Sequence, residues 1–307
     1  MKTIDILTIG EPLMEFAEVE RSGERLYLPG HGGDVSNTAV AAARQGARAA
    51  IFTALGADSF GTDFLKLWDR EQIDRSSVIV RREGRTGAYF ISYGEDGHVF
   101  SYARAGSAAS LVRTDELPFR QIEAAHILHA SGISQAISES CADAVFAAIR
   151  HARESETIVS YDTNLRLRLW PLDRARAIIH GAVALSDIAL PGLDDAQQLT
   201  GLERPEDICD FYRRLGCEIV ALTMGKAGTM VAAGARREVI PARPVQPVDA
   251  TGAGDTFDGA FLAEWLIGRD PFAAAAYANA AAALSTLGKG AVAPMPRRAE
   301  TEAFVRA

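Results

Sequence analysis

The chain has 307 residues, 48% of them hydrophobic and 23% charged, which suits one large α/β domain with an ample core and argues against disorder. With 40 acidic and 32 basic residues the net charge is −8, which argues against nonspecific nucleic-acid binding. Cys141, Cys209 and Cys217 lack metal-type spacing and argue against a disulfide framework, and no stretch approaches the ~20 apolar residues of a membrane span, so a cytoplasmic enzyme is expected.

Ile4 to Ile9 is apolar and β-branched and ends at Gly10, as a buried parallel strand does. The next segment alternates only partly, most clearly through Leu26 and Leu28, and closes at Pro29-Gly30, which suggests strands outside the main sheet. Gly32-Gly33 then leads to an alanine-rich helix from Ala39 to Arg44, with Asp34 or Ser36 read evenly as an N-cap or a ligand contact. Arg48 to Ala54 reads as a second strand, Ser59 as the N-cap of a helix carrying Phe64, Leu67 and Trp68, and Ser77 to Val80 as a third strand. Gly87 to Tyr93, the turn Asp96-Gly97 and His98 to Arg104 spell a hairpin. Tyr89, Ile91 and Tyr93 share one face of it, and that face is expected to be exposed and to pack against a second subunit.

From Ala125 the β/α alternation is regular. Strands are expected at Ile127-Leu128, Ile158 to Tyr161, Asp187 to Leu190 and Glu218 to Thr223, with helices from Ser138 to about Arg153, from Asp173, from Asp194 to Leu199 and from Pro205 to Leu215. Such alternation implies a parallel sheet covered on both faces, whose ligands lie at the carboxyl ends of the strands. Gly10, Gly33, Asp162, Asn164 and Gly225 could converge there.

The most informative stretch is Val248 to Leu266. Gly252 and Gly254 let backbone amides approach a ligand, and Phe257, Phe261 and Trp265 at spacing four start a helix. A glycine loop feeding a helix N-terminus favours a phosphate. Asp255, planted beside it, handles a proton or a metal, the competing account being that Asp255 or Thr256 only caps the helix. Other patterns fail: Gly288 to Ala293 fits a dinucleotide pattern but follows a helix, and Gly56 and Gly61 lack the lysine of a phosphate loop. His126 and His129 fall on opposite faces of a strand, so packing accounts for them better than a metal does. Arg104, Arg166 and Arg168 are candidate grips for an anion, though most arginines are solvated.

The string from Asp249 to Phe261 resembles the D-T-x-G-A-G-D-x-F signature of the ribokinase-like (PfkB) carbohydrate kinases. Gly33, Asp34 and Asn37 fall on a string similar to that family's G-G-x-x-x-N-x-A element. The resemblance implies a three-layer α/β/α sandwich with a mostly parallel central sheet, residues 1–307 as one domain, and a small β-sheet lid formed by about 12–31 and 85–106. It implies Asp255 as catalytic base, Gly252, Ala253 and Gly254 as the anion hole, and Gly33, Asp34 and Asn37 against the sugar.

Asp162 to Trp170, Gly87-Ala88-Tyr89, Tyr102 to Ala108 and Leu128 to Ser134 resemble the 2-keto-3-deoxygluconate kinase group within it. That likeness implies a sugar-acid substrate phosphorylated at its C6 hydroxyl, met by Tyr89, Tyr102, Arg104, Ile133 and Arg166, the last on the carboxylate. For ATP, Thr223, Gly225, Ala227 and Gly228 resemble a K-x-G-x-x-G loop with Met224 in place of its first lysine, and Asn279, in a helix from Ala273 to Leu287, falls against the adenine. The family's magnesium element N-x-x-E falls on Gly192 to Asp195, without its asparagine, leaving Asp195, or Asp194 in another register, to act on Mg2+ through water, and K+ would lie at Asp249. The likeness also implies a homo-oligomer assembled through the lid. The rival readings are a kinase for fructose, another neutral sugar or a nucleoside, and a non-catalytic sugar-binding protein.

Overall fold

The computed structural model describes residues 2–94 and 97–306, without the side chains of Tyr93 and His98. The expected Asp96-Gly97 turn and the part of Tyr93 in the hairpin face therefore lie outside the described residues. The strands, in chain order, are β1 (Ile4–Ile9), β2 (Leu13–Arg21), β3 (Glu24–Gly32), β4 (Ala49–Phe52), β5 (Ala54–Gly56), β6 (Ile79–Arg81) and β7 (Gly87–Gly94). They continue with β8 (Gly97–Ala103), β9 (Ala125–Ser131), β10 (Ile158–Asp162), β11 (Ile188–Ala189), β12 (Ile219–Thr223), β13 (Thr229–Ala233) and β14 (Arg236–Ile240).

Eight of them form the main sheet, in the order β14-β13-β12-β11-β10-β9-β1-β4. It is parallel from β4 to β12, while β13 and β14 are added antiparallel. One face packs against helices Glu139–Glu154, Leu172–Val183, Leu193–Thr200 and Pro205–Leu215. The other is covered by Asp34–Arg44, Ala253–Gly268 and Pro271–Ser285. Ala253–Gly268 is apolar on nearly all sides because it touches the sheet and both neighbouring helices; Phe257 and Phe261 stack with ring centroids 5.8 Å apart inside that layer.

A second sheet, β3-β2-β7-β8, stands beside the main one, with β2 and β7 parallel and Tyr89 opposite both Glu15 and Tyr102. Here one expectation is corrected. Tyr89 and Ile91 are 6% and 4% exposed, packed with Leu13 and Phe100, so they do not form an outward apolar face. The exposed apolar residues of this sheet are others, among them Leu26 and Leu28 on β3 and Val99 on β8.

Smaller departures have local causes. The expected strand from Arg48 to Ala54 divides at Thr53, because β5 leaves the main sheet to pair with β6. Asp58, not Ser59, caps the following helix, accepting the Gly61 N–H at 2.7 Å. The hairpin β13–β14, paired antiparallel with the end of the sheet, is not among the expected strands. The helix after Gly33 starts at Asp34, five residues before the alanine run begins.

Candidate active site

Gly10, Ser131 and Asp162 end or follow the adjacent parallel strands β1, β9 and β10, and Thr223 ends β12, beyond β11, so their loops meet at one sheet edge. A cavity of about 720 Å3 opens there, between that edge, the start of helix Ala253–Gly268 and the second sheet. Gly33, Asp34, Asn37, Tyr89, Tyr102, Arg104, Ile133, Arg166, Asp195, Thr223, Gly252, Gly254 and Asp255 all line it.

Two glycines fix the approach. Gly33 has φ +93°, and a Cβ there would stand 2.4 Å from the Glu11 carbonyl oxygen. Gly252 has φ +73°, and a Cβ would press on Ala291 at 3.0 Å. Both positions therefore demand glycine for conformation as well as space. Asp249 holds the second loop in shape: it accepts the Thr251 N–H and hydroxyl at 2.9 and 2.7 Å and the Gly290 N–H at 2.9 Å. Ala253 N–H turns back to Ala250 O at 3.2 Å, whereas Gly254 is exposed at the helix mouth. The open first turn can receive an anion.

Asp255 begins that helix, with Oδ2 accepting from Asn37 Nδ2 at 2.8 Å. Burial, and after it the Asp34 charge, push its carboxyl up to about 7, with Asn37 and Arg166 pulling the other way. A carboxylate so placed titrates where a general base is useful. Asp34 is held by the Ser131 hydroxyl and by Asn164 Nδ2 at 3.4 Å, and burial raises it too. Asp34 Oδ1 and Asn37 Oδ1 are buried and make no hydrogen bond within the protein. Two unpartnered acceptors on the floor of a cleft are places for ligand hydroxyls.

Several participants were not singled out by the sequence. Glu11, fully buried, accepts the Ser107 hydroxyl at 2.5 Å and sits 2.5 Å from Arg104 Nη2. Burial raises its carboxyl despite Arg104. Asp258, one helical turn beyond Asp255, lies near Asp162 at the end of β10; burial raises both well above the carboxylate range, followed by the Asp162 charge for Asp258 and the Asp255 charge for Asp162. Asp258 was visible at i+3 from Asp255 on the same helix face, and Glu11 as a polar residue directly after a strand's closing glycine.

The remaining candidates have contacts of their own within the chain. Asn279 is buried outside the cavity, donating to Ile240 O and Pro241 O at 3.1 and 3.2 Å and accepting from the Thr229 hydroxyl at 2.7 Å. Its amide ties a helix to the end of β14. Gly225, Ala227 and Gly228 form the turn after β12 but do not line the cavity. Asp195 accepts the Leu165 N–H at 2.9 Å and lies 3.7 Å from Arg166 Nη1. His129 is buried, bonded to Ser160 Oγ at 3.1 Å and held near pKa 3 by burial, so it is a neutral core residue.

The fold and the cleft define a class of ribokinase-like α/β proteins: a solved structure titled as a putative ribokinase II from E. coli in complex with ATP and Mg2+ matches with TM-score 0.91 and 25% identity, covering 99% of each chain. The family model described as pfkB family carbohydrate kinase matches residues 5–298. The chain belongs to that family, and it is a carbohydrate kinase. Its relatives divide by substrate. A fructokinase-1 from Zea mays is 32% identical over 96% of this chain and 95% of its own length, and a 2-dehydro-3-deoxygluconokinase from Thermoproteus tenax is 33% identical over 97% and 93%.

Proposed function

We propose that the protein transfers the γ-phosphoryl group of ATP to the C6 hydroxyl of 2-keto-3-deoxygluconate, giving 2-keto-3-deoxy-6-phosphogluconate. The observation that carries the chemistry is Asp255, held by Asn37 with a carboxyl raised to about 7 at the open start of a helix behind Gly252 and Gly254. Asp255 would take the hydroxyl proton as the acceptor oxygen bonds to phosphorus and the bond to ADP breaks. The N–H groups of the Gly252-Ala253-Gly254 turn would carry charge developing on the phosphoryl oxygens. Asp34 Oδ1 and Asn37 Oδ1 would take acceptor hydroxyls. What favours an acid over a neutral sugar is that three arginines, Arg104, Arg166 and Arg168, line the cleft. Arg166 would meet the carboxylate, with Tyr89, Tyr102 and Arg104 closing from the second sheet as a lid that excludes water.

Magnesium, when bound with the nucleotide, would neutralise phosphate charge. No group of three or more acidic, histidine or cysteine side chains among the described residues could hold a metal by itself, which fits an ion carried mainly by phosphates and water, with Asp195 nearby. Asp249 would border a potassium ion. No helix among the described residues is long and apolar enough to cross a membrane, and a cytoplasmic homo-oligomer pairing through Leu26 and Leu28 of the second sheet completes the proposal.

The second reading, a fructokinase, is favoured by the Arg104–Glu11 pair, which lowers the cationic character of the cleft. ADP release with MgATP and a panel of 2-keto-3-deoxygluconate, its galactonate-derived epimer, fructose and ribose separates them, with Asp255→Asn as control. Turnover confined to the keto-deoxy acids supports the proposal; turnover of fructose alone replaces it with the second reading.

A further inference from the structure

The cleft is lined by side chains of both charges. Asp34, Asp162, Asp255 and Asp258 line it together with Arg104, Arg166 and Arg168, so a carboxylate of an acceptor finds its favourable partners at the arginines. Of the three arginines, two already face carboxylates of the chain. Arg104 Nη2 stands 2.5 Å from Glu11, and Arg166 Nη1 stands 3.7 Å from Asp195. An anion approaching either also meets the partner carboxylate, which offsets much of the attraction.

Arg168 differs: among the described residues it has no ion pair. Its fixed contact is Nη1 to Phe100 O at 2.9 Å, which joins the loop after β10 to β8 across the cleft mouth. A guanidinium carries five N–H donors, so most of its fork is left for a planar anion. We infer that Arg168 is the residue that makes the cleft select an acceptor with a carboxylate remote from the reacting hydroxyl. It binds that carboxylate alongside Arg166 while Nη1 stays on Phe100 O, so that occupancy and closure of the second sheet support each other. This assignment rests on the sugar-acid reading above.

Arg168→Gln keeps a donor for Phe100 O and removes the charge, while Arg168→Lys keeps the charge and removes the fork. With MgATP saturating, the Gln variant should raise KM for 2-keto-3-deoxygluconate roughly tenfold or more, the size of one lost charged hydrogen bond, with kcat within about a factor of two. The Lys variant should recover part of that loss. In the parent protein KM should rise with added salt, and in the Gln variant that dependence should flatten, a signature that a purely structural role would not produce. Turnover of the acid by the parent with KM and salt dependence unchanged in the Gln variant overturns the role of Arg168 and leaves the sugar-acid reading standing. A kcat loss at constant KM likewise overturns it, assigning the residue to the shape of the second sheet. A parent that phosphorylates only neutral sugars overturns both.

Discussion

The floor of the cleft and its rim are built on different principles. Asp34, Asp162, Asp255 and Asp258 stand on the ends of strands and the first turns of helices, hemmed in by the main sheet. Arg166, Arg168 and Tyr102 stand on a loop and on a strand of the smaller sheet, with Tyr102 44% exposed. The floor can hold a reacting proton to within tenths of an ångström, whereas the rim can adapt to the acceptor it admits. Chemistry belongs to the first and choice of substrate to the second.

The largest test of that division is Asp255→Asn. Loss of the base should lower kcat by roughly 10²–10⁴-fold while KM for both substrates changes little, read by steady-state kinetics. The same variant should be more stable. The folded carboxyl titrates near 7 against an unfolded value of roughly 4, so the native state favours the proton and loses stability as pH rises between those values. At pH 8 the amide removes that penalty, and thermal melting should show a gain of roughly 1–3 kcal/mol that vanishes near pH 4.

Next in size, Glu11→Ala leaves the largely buried Arg104 without its carboxylate and should destabilise the fold by about 3–5 kcal/mol in urea unfolding, with Glu11→Gln less severe. A smaller effect is expected at the rim: Arg166→Ala should raise KM for the keto-deoxy acid about tenfold and leave KM for ATP unchanged. The smallest is Asp258→Asn. Burial holds this carboxyl towards its neutral form, so replacing it by an amide of the same shape should change stability by less than about 1 kcal/mol, while Asp258→Ala should cost more. In the parent protein kcat/KM should rise with pH through about 7 as Asp255 loses its proton. Equal sensitivity of kcat to floor and rim substitutions would break the comparison.

The same division explains what the sequence made legible. The glycine loop, Asp255 and the helix behind it are contiguous, so their chemistry could be read from one string. The β/α alternation was equally local, and it placed the sheet edge correctly. Partnerships across the chain were not readable: Ser131 holds Asp34 from 97 residues away, and Asn37 holds Asp255 from 218. Glu11 gave only a weak signal because its partners, Arg104 and Ser107, arrive through the second sheet. The contacts of Asn279 were equally out of reach, since a polar residue on a helix face can tie up backbone carbonyls, as its amide does with Ile240 O and Pro241 O. Tyr89 and Ile91 misled because alternation gives which residues share a face but not which face is covered.

Direct competition tests the central claim most simply. Equimolar 2-keto-3-deoxygluconate and fructose, incubated with limiting MgATP, yield products in the ratio of their kcat/KM values, which phosphorus NMR can resolve. The account predicts that the 6-phosphate of the keto-deoxy acid dominates; a product mixture dominated by fructose phosphate would contradict it.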